Sequence, residues 1–233
     1  LYQKLWYMGP MFRYERPQAG RQRQFHQLGV EFLGFESFRS DLEIIVLAWD
    51  LLKKLRINGL QLEINTLGDS SDRINFQKSF RKWLEVNFND LDSDSQKRVD
   101  KNPLRILDTK NPETKILLEN APRLINFLSD KSVERFSQIK KHLQELKIPF
   151  KENFNLVRGL DYYTHTAFEI TSESLGSQST VCGGGRYDNL VNQMGGSKTS
   201  AIGFAIGLER LMLLASNELE FSRKTDIYII NKG

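Results

Sequence analysis

The sequence predicts an α+β fold: an antiparallel sheet flanked by helices and interrupted by a mainly helical insertion. Three observations predict it. Strand-like segments and glycines cluster at both ends of the chain, a charged and mixed-sign helical block of about residues 71–146 separates them, and the opening strands are joined by a short polar loop. The expected organisation is a first sheet part at residues 1–70, the helical insertion at 71–146, a second sheet part at 147–220, and the start of a further domain at 221–233.

Taken in order, residues 1–7 read as the middle of a helix. Residues 11–15 and 25–32 then read as two strands joined by a basic loop containing Pro17, Gly20, Arg21 and Arg23. Side chains alternate along a strand, so Arg13 and Glu15 share one face of the first. Phe25, Gln27, Gly29 and Glu31 share one face of the second, with Gly29 leaving a gap where a ligand could touch the backbone. An arginine, an amide, a carboxylate, an aromatic ring and a missing side chain make a poor core and a good seat for a small polar ligand carrying phosphate.

Residues 41–55 are apolar at helical spacing (Leu42, Ile45, Val46, Trp49, Leu52), with Ser40 and Asp41 as the cap, and residues 60–64 alternate as a strand. The helical block follows, broken at Asn102-Pro103 and Asn111-Pro112. Beyond Phe154 come three glycine-bearing segments: 155–164, 180–188, and the small-residue strand 201–207 that leads into an amphipathic helix carrying Arg210 in its first turn. A helix start already presents free N–H groups to an anion, and Arg210 adds a planar cationic fork. Tyr162 and Tyr163 offer flat apolar rings with polar tips, able to hold a ligand by contact and hydrogen bond.

Composition narrows the classes. The chain has 233 residues, 33 Lys and Arg against 29 Asp and Glu, and one cysteine, Cys182. That excludes an internal disulfide framework, and a pI of about 9.1 permits nucleic-acid binding without demanding it. No apolar run is long enough to span a membrane and no signal peptide is visible, so a cytoplasmic protein is expected. Three scattered histidines and one cysteine give no metal-ligand spacing. Both ends read as cuts in a longer parent.

The run from Phe12-Arg13 through the basic loop to Phe25-His26-Gln27-Leu28-Gly29-Val30-Glu31 resembles motif 2 of the class II aminoacyl-tRNA synthetases. Gly207-Leu208-Glu209-Arg210-Leu211 resembles their motif 3. Arg158-Gly159-Leu160-Asp161-Tyr162-Tyr163-Thr164 and Val181-Cys182-Gly183-Gly184-Gly185-Arg186-Tyr187-Asp188 resemble the two signatures of histidyl-tRNA synthetases. The resemblance implies ATP-dependent activation of histidine to histidyl-adenylate and its transfer to tRNA(His). Partners are then ATP with Mg2+, histidine and tRNA, in a homodimeric parent. It places Arg13 and Arg158 on the α-phosphate and the attacking carboxylate, and Arg21 and Arg210 on the β- and γ-phosphates. Phe25 would stack on adenine and Glu15 read its edge. Gln27 would hold the amino-acid backbone atoms, Glu31, Tyr162 and Tyr163 the imidazole, with Gly183 and Gly184 close to the substrate. The family's motif 1, its loop for the substrate amino group and its anticodon-binding domain have no counterpart in these residues. Two other readings compete: a non-catalytic relative serving regulation of histidine biosynthesis or tRNA sensing, and a generic RNA-binding module. The joint presence of Arg13, Arg158 and Arg210 favours catalysis.

Overall fold

In the computed structural model, residues 2–14, 22–107, 109–156, 162–174 and 180–215 are described. Their elements are β1 (Gln3–Phe12), β2 (Gln24–Leu33), α1 (Phe38–Lys54), β3 (Leu60–Thr66), α2 (Ser70–Val86), α3 (Ser93–Gln96), α4 (Pro112–Leu118), α5 (Asp130–Glu145), β4 (Phe150–Glu152), β5 (Thr164–Ser172), β6 (Thr180–Arg186), α6 (Leu190–Gln193), β7 (Ala201–Gly207) and α7 (Leu208–Ala215). The strands form one seven-stranded sheet in the order β1-β2-β7-β6-β5-β3-β4. Every pairing is antiparallel except β3 with β4, so the sheet is mixed at one edge rather than wholly antiparallel. None of the described helices is long and apolar enough to cross a membrane.

Residues 1–7 were expected to be helical; instead β1 pairs with β2 from Gln3 opposite Leu33 to Phe12 opposite Gln24. Ladder bonds from a neighbouring strand outweigh a short apolar pattern that fits either period. The strand ends at Phe12, one residue before Arg13, and Glu15 lies outside the described residues.

One sheet face is apolar. Phe32, Ile202, Phe204, Ile206, Cys182, Phe168, Ile170, Ile64 and Leu62 are buried there against α1 (Ile44, Ile45, Ala48, Leu52) and α5 (Phe136, Ile139, Leu143). The cap of α1 is Ser37, whose hydroxyl accepts from Arg39 N; Ser40 and Asp41, expected as the cap, are buried inside the helix. The shift has a physical cause: Asp41 is needed as a buried anion. Arg186, wholly buried, donates through Nε to Asp41 Oδ1 at 2.7 Å and through Nη1 to Asp188 Oδ1 at 3.0 Å. Arg135 donates through Nε to Asp41 Oδ2 at 2.9 Å, and Thr166 Oγ1 donates to the same oxygen at 3.1 Å. Burial alone would drive the Arg186 guanidinium toward neutrality; Asp41 and then Asp188 more than offset this and raise its pKa.

A second, smaller core of Phe76, Phe80, Leu84, Leu91, Val99, Ile106 and Ala121 lies within the helical block. The block's last helix, α5, belongs instead to the main core. Asp72 ties the two ends of the block together, accepting from Ser129 N at 2.8 Å and Ser132 Oγ at 2.6 Å while completing the capping box of α2.

Candidate active site

The opposite sheet face is polar and floored by small residues. Cross-strand partners share a face, which places Tyr7 and Gly9 beside Gly29 and Gln27, then Gly203, Ala205 and Gly207, then Gly185 and Gly183, then Ala167 and Glu169. The floor leaves room for a cavity of about 590 Å³ bounded by Arg13, Phe25, Gln27, Gly183, Glu169 and Arg210, among others. A side chain at Gly207 would meet nothing within 4 Å, so this position opens into free space. Arg13 lies over the Phe25 ring, 4.3 Å from its centroid, and donates through Nε to Gln22 O at 2.9 Å. Arg210 reaches across the cavity and donates through Nη1 to Thr180 O at 2.7 Å. Glu209 accepts from His26 N at 2.8 Å and meets its Nδ1 at 3.0 Å, so His26 braces α7 against β2. Burial alone would raise the Glu209 carboxyl, but the His26 bonds hold it below the usual range.

A second compartment adjoins this one along β2. Glu31 is four residues beyond Gln27 on the same face, about 13 Å along the strand. Its carboxylate accepts from the Tyr187 hydroxyl. A Cβ at Gly203 would fall 1.7 Å from Glu31 Oε2, a Cβ at Gly29 2.1 Å from the Tyr7 ring, and a Cβ at Gly185 2.8 Å from the Tyr163 ring. These three glycines are therefore seats for pocket side chains. The gap expected at Gly29 is filled by Tyr7, which strand β1 brings alongside it. Tyr162 packs on Tyr163 at 4.6 Å and edge-on to Tyr187 at 6.0 Å. Burial raises the Glu31 carboxyl, partly opposed by the Tyr187 bond; burial first, and Glu31 second, raise both the Tyr7 and Tyr187 hydroxyls. The compartment is a desolvated ring of tyrosines around one carboxylate.

Of the residues singled out from sequence, Arg13, Phe25, Gln27, Gly183 and Arg210 line the cavity, and Glu31, Tyr162 and Tyr163 form the adjoining compartment. Gly184 points the other way: a Cβ there would meet Gly203 O at 2.4 Å and the Phe168 ring at 2.7 Å, so core packing demands that glycine. Glu15, Arg21 and Arg158 lie outside the described residues, as does the segment 221–233. Sequence reading missed Tyr7 and did not single out Tyr187, although alternation from Gly183 and Gly185 carries that face to Tyr187. It also missed Glu169, whose carboxylate accepts from Thr180 Oγ1 at 2.9 Å on the cavity wall. Among the described residues no three His, Cys, Asp or Glu side chains gather as a metal cluster.

The family model described as Histidyl-tRNA synthetase matches residues 2–211, almost the whole chain. The chain belongs to the histidyl-tRNA synthetase family. Within that family it is 76% identical over 231 residues to the histidine–tRNA ligase of Prochlorococcus marinus (strain MIT 9515), covering 99% of this chain and 54% of that protein. It is 59% identical over 231 residues to the corresponding ligase of Synechococcus sp. (strain RCC307), covering 99% of this chain and 56% of the relative. The chain thus spans about half the length of these family members. The crystal structure of apo S. aureus histidyl-tRNA synthetase superimposes with a TM-score of 0.74 at 38% identity, covering 92% of this chain and 51% of that one. A Bacillus halodurans protein described as an ATP phosphoribosyltransferase regulatory subunit/histidyl-tRNA synthetase shares the fold at 19% identity and a TM-score of 0.63.

A positioning contact joins the helical block to the site. Arg73, in the first turn of α2, donates through Nη1 to Tyr163 O at 2.6 Å. Removing it frees the backbone beneath the tyrosine pair without touching the cavity. Arg73→Ala is therefore expected to lower the melting temperature by about 3–12 °C, the roughly 1.5–3 kcal/mol of a hydrogen bond from a charged donor. Thermal melts decide it; a melt within about 2 °C of wild type would exclude the positioning role.

Proposed function

We propose that this chain is the catalytic core of a histidine–tRNA ligase. One observation carries the reading: a single sheet face joins an arginine-flanked cavity to a desolvated tyrosine ring around Glu31. The first suits a nucleotide, and the second a small ring bearing N–H donors. In the first step a carboxylate oxygen of histidine attacks the α-phosphorus of ATP; the bond to the bridging β-oxygen breaks and pyrophosphate leaves. In the second, a terminal ribose hydroxyl of tRNA attacks the acyl carbon and AMP leaves. Both steps join or separate anions, so positioning and charge stabilisation dominate.

Arg13 and Arg158 would hold the α-phosphate and attacking carboxylate, and Arg21 and Arg210 the outer phosphates. Arg13 would swing off the Phe25 ring to admit adenine, with Glu15 at its edge. Gln27 would take the substrate backbone atoms beside Gly183, with Glu31, Tyr162, Tyr163, Tyr7 and Tyr187 around the imidazole. Magnesium carried by ATP needs one or two carboxylates besides phosphate and water, and Glu169 and Glu209 on the cavity wall are oxygen donors of that kind. The regulatory-relative reading draws support only from a fold likeness, while Arg13 and Arg210 on the cavity wall, together with Arg158 in the sequence, support catalysis. Pyrophosphate exchange on the full-length protein, run with each amino acid in turn, tests the reading; exchange with histidine alone is expected, and none with any amino acid would overturn it.

Two further outcomes follow. Arg158→Ala should lower the single-turnover rate of adenylate formation by about 10²-fold, the loss expected for one donor to developing charge, with an unchanged melting temperature. The helical block carries Lys78, Lys97, Arg98 and Lys101, and we assign it to the acceptor stem of tRNA. Charge reversal at Lys78 and Lys101 should weaken tRNA binding and reduce its salt slope by about two. Titrations at several salt concentrations check this, and an unchanged slope would remove the block from the tRNA interface. A homodimeric, cytoplasmic parent goes with this proposal.

A further inference from the structure

A second cavity, of about 380 Å³, lies between the helical block and the β4 edge of the sheet. It shares no lining residue with the first. Its floor is apolar, built from Phe76, Leu104, Leu107 and Leu118 of the block and completed by the Phe154 side chain. Its walls carry five cationic side chains, Arg73, Arg105, Lys115, Arg123 and Lys151, against two carboxylates, Glu119 and Glu152. Glu152 is already tied to Lys140 at 3.0 Å, so cationic side chains outnumber carboxylates in the described lining.

The wall contributed by the segment after β4 is held in place. Asn65 Nδ2 donates to Leu156 O at 3.0 Å, and Asn153 Nδ2 donates to Glu63 Oε2 at 2.6 Å. The Phe154 ring is therefore presented on a fixed backbone. The volume falls within the range of small-molecule sites, and the combination is specific: a flat apolar floor with an aromatic ring, under a rim of guanidinium and ammonium groups. A purely apolar ligand would make no use of the cationic rim, and a bare anion would leave the floor wet.

We propose that this cavity is a second ligand site that takes a nucleoside phosphate, with the base over the Phe154 side of the floor and the phosphate against the cationic rim. Bases stack on aromatic side chains with little sequence preference, and arginine pairs with phosphate through two parallel bonds. The same chemistry is offered by a free nucleotide and by one unpaired nucleotide of an RNA strand.

Uridine 5′-monophosphate is the probe, followed by NMR titration of the wild-type chain, Lys115→Glu/Arg123→Glu, Phe154→Ala and Arg210→Ala. Binding to wild type is expected, weakened at least tenfold in the charge-reversal variant. It should also weaken in Phe154→Ala, which alters no charge and covers the case in which the double variant fails to fold. Arg210→Ala should bind as wild type does; because that variant damages the ATP site proposed above, failure there and failure here are distinguishable. A short single-stranded RNA added in competition assigns the source: displacement at lower concentration than free nucleotide points to an RNA strand, and equal potency to a free nucleotide. No binding to wild type, or binding indifferent to both cavity variants, would overturn the site.

Discussion

Asp41→Ala should lower the melting temperature by roughly 6–20 °C. Asp41 is wholly buried and accepts from Arg186, Arg135 and Thr166. Removing it leaves the wholly buried Arg186 with only Asp188 as an anionic partner among the hydrogen bonds of its guanidinium. Breaking a buried pair by deleting one member costs about 3–5 kcal/mol, because the remaining charge stays desolvated. For a chain of this size each kcal/mol corresponds to about 2–4 °C. The loss should shrink in Asp41→Leu/Arg186→Met, in which the wholly buried guanidinium is removed with its partner and only the partly exposed Arg135 and Asp188 lose a contact, and that double variant separates charge burial from lost packing. Arg186 also precedes Tyr187, which donates to Glu31. The single variant should therefore weaken histidine binding as well. A thermal melt within 2 °C of wild type would show that the network does not hold the sheet to α1 as argued.

Glu31→Gln should separate binding from stability, moving them in opposite directions. Glu31 sits among Tyr7, Tyr163 and Tyr187, and burial raises its pKa above the ordinary 4.5 despite the Tyr187 bond. For an acid raised in the folded state, the folded protein holds the proton over a pH window in which the unfolded chain has lost it. Stability then falls as pH rises from about 4.5 through the raised value, and the full penalty persists above it. Glutamine carries no charge to desolvate, so the variant should melt at or above the wild-type temperature at neutral pH. The two should converge as the pH falls below about 4.5. Histidine binding should weaken roughly 10- to 100-fold, the 1.5–3 kcal/mol of a hydrogen bond to a charged acceptor. Melts across pH 4–8 with calorimetric histidine titrations decide both parts. A variant that binds histidine as tightly as wild type would remove Glu31 from the imidazole pocket, and a variant less stable only at neutral pH would reverse the burial argument.

Alternation and motif order made much of the site legible in the sequence. The even spacing of Phe25, Gln27, Gly29 and Glu31 put them on one face because a strand repeats every two residues. Gly183 and Gly185, with Gly203, Ala205 and Gly207, belong to the same face by the same rule. Helix α1 was legible from the burial period of Ile45, Trp49 and Leu52. Residues 3–7 were misread because a short stretch with only Leu5, Trp6 and Tyr7 apolar fits both periods and only pairing with β2 settles it. The parallel partnership of β3 with β4 was also hidden, since β4 has three residues and its neighbour lies across the entire helical block.

The sequence by itself determined the family resemblance, the sheet-and-block order, and which residues of β2 can face a ligand, because these rest on local period and on short motifs. Only the tertiary structure decided what fills the space beside each glycine. Gly29 seats Tyr7, Gly203 seats Glu31 and Gly184 seats Phe168, each across a strand boundary that local pattern does not encode. The same holds for Asp41 and Arg186, read locally as a helix cap and part of a glycine motif. They are 145 positions apart, and only sheet packing on α1 brings them to 2.7 Å and turns two surface-type residues into a buried ion pair.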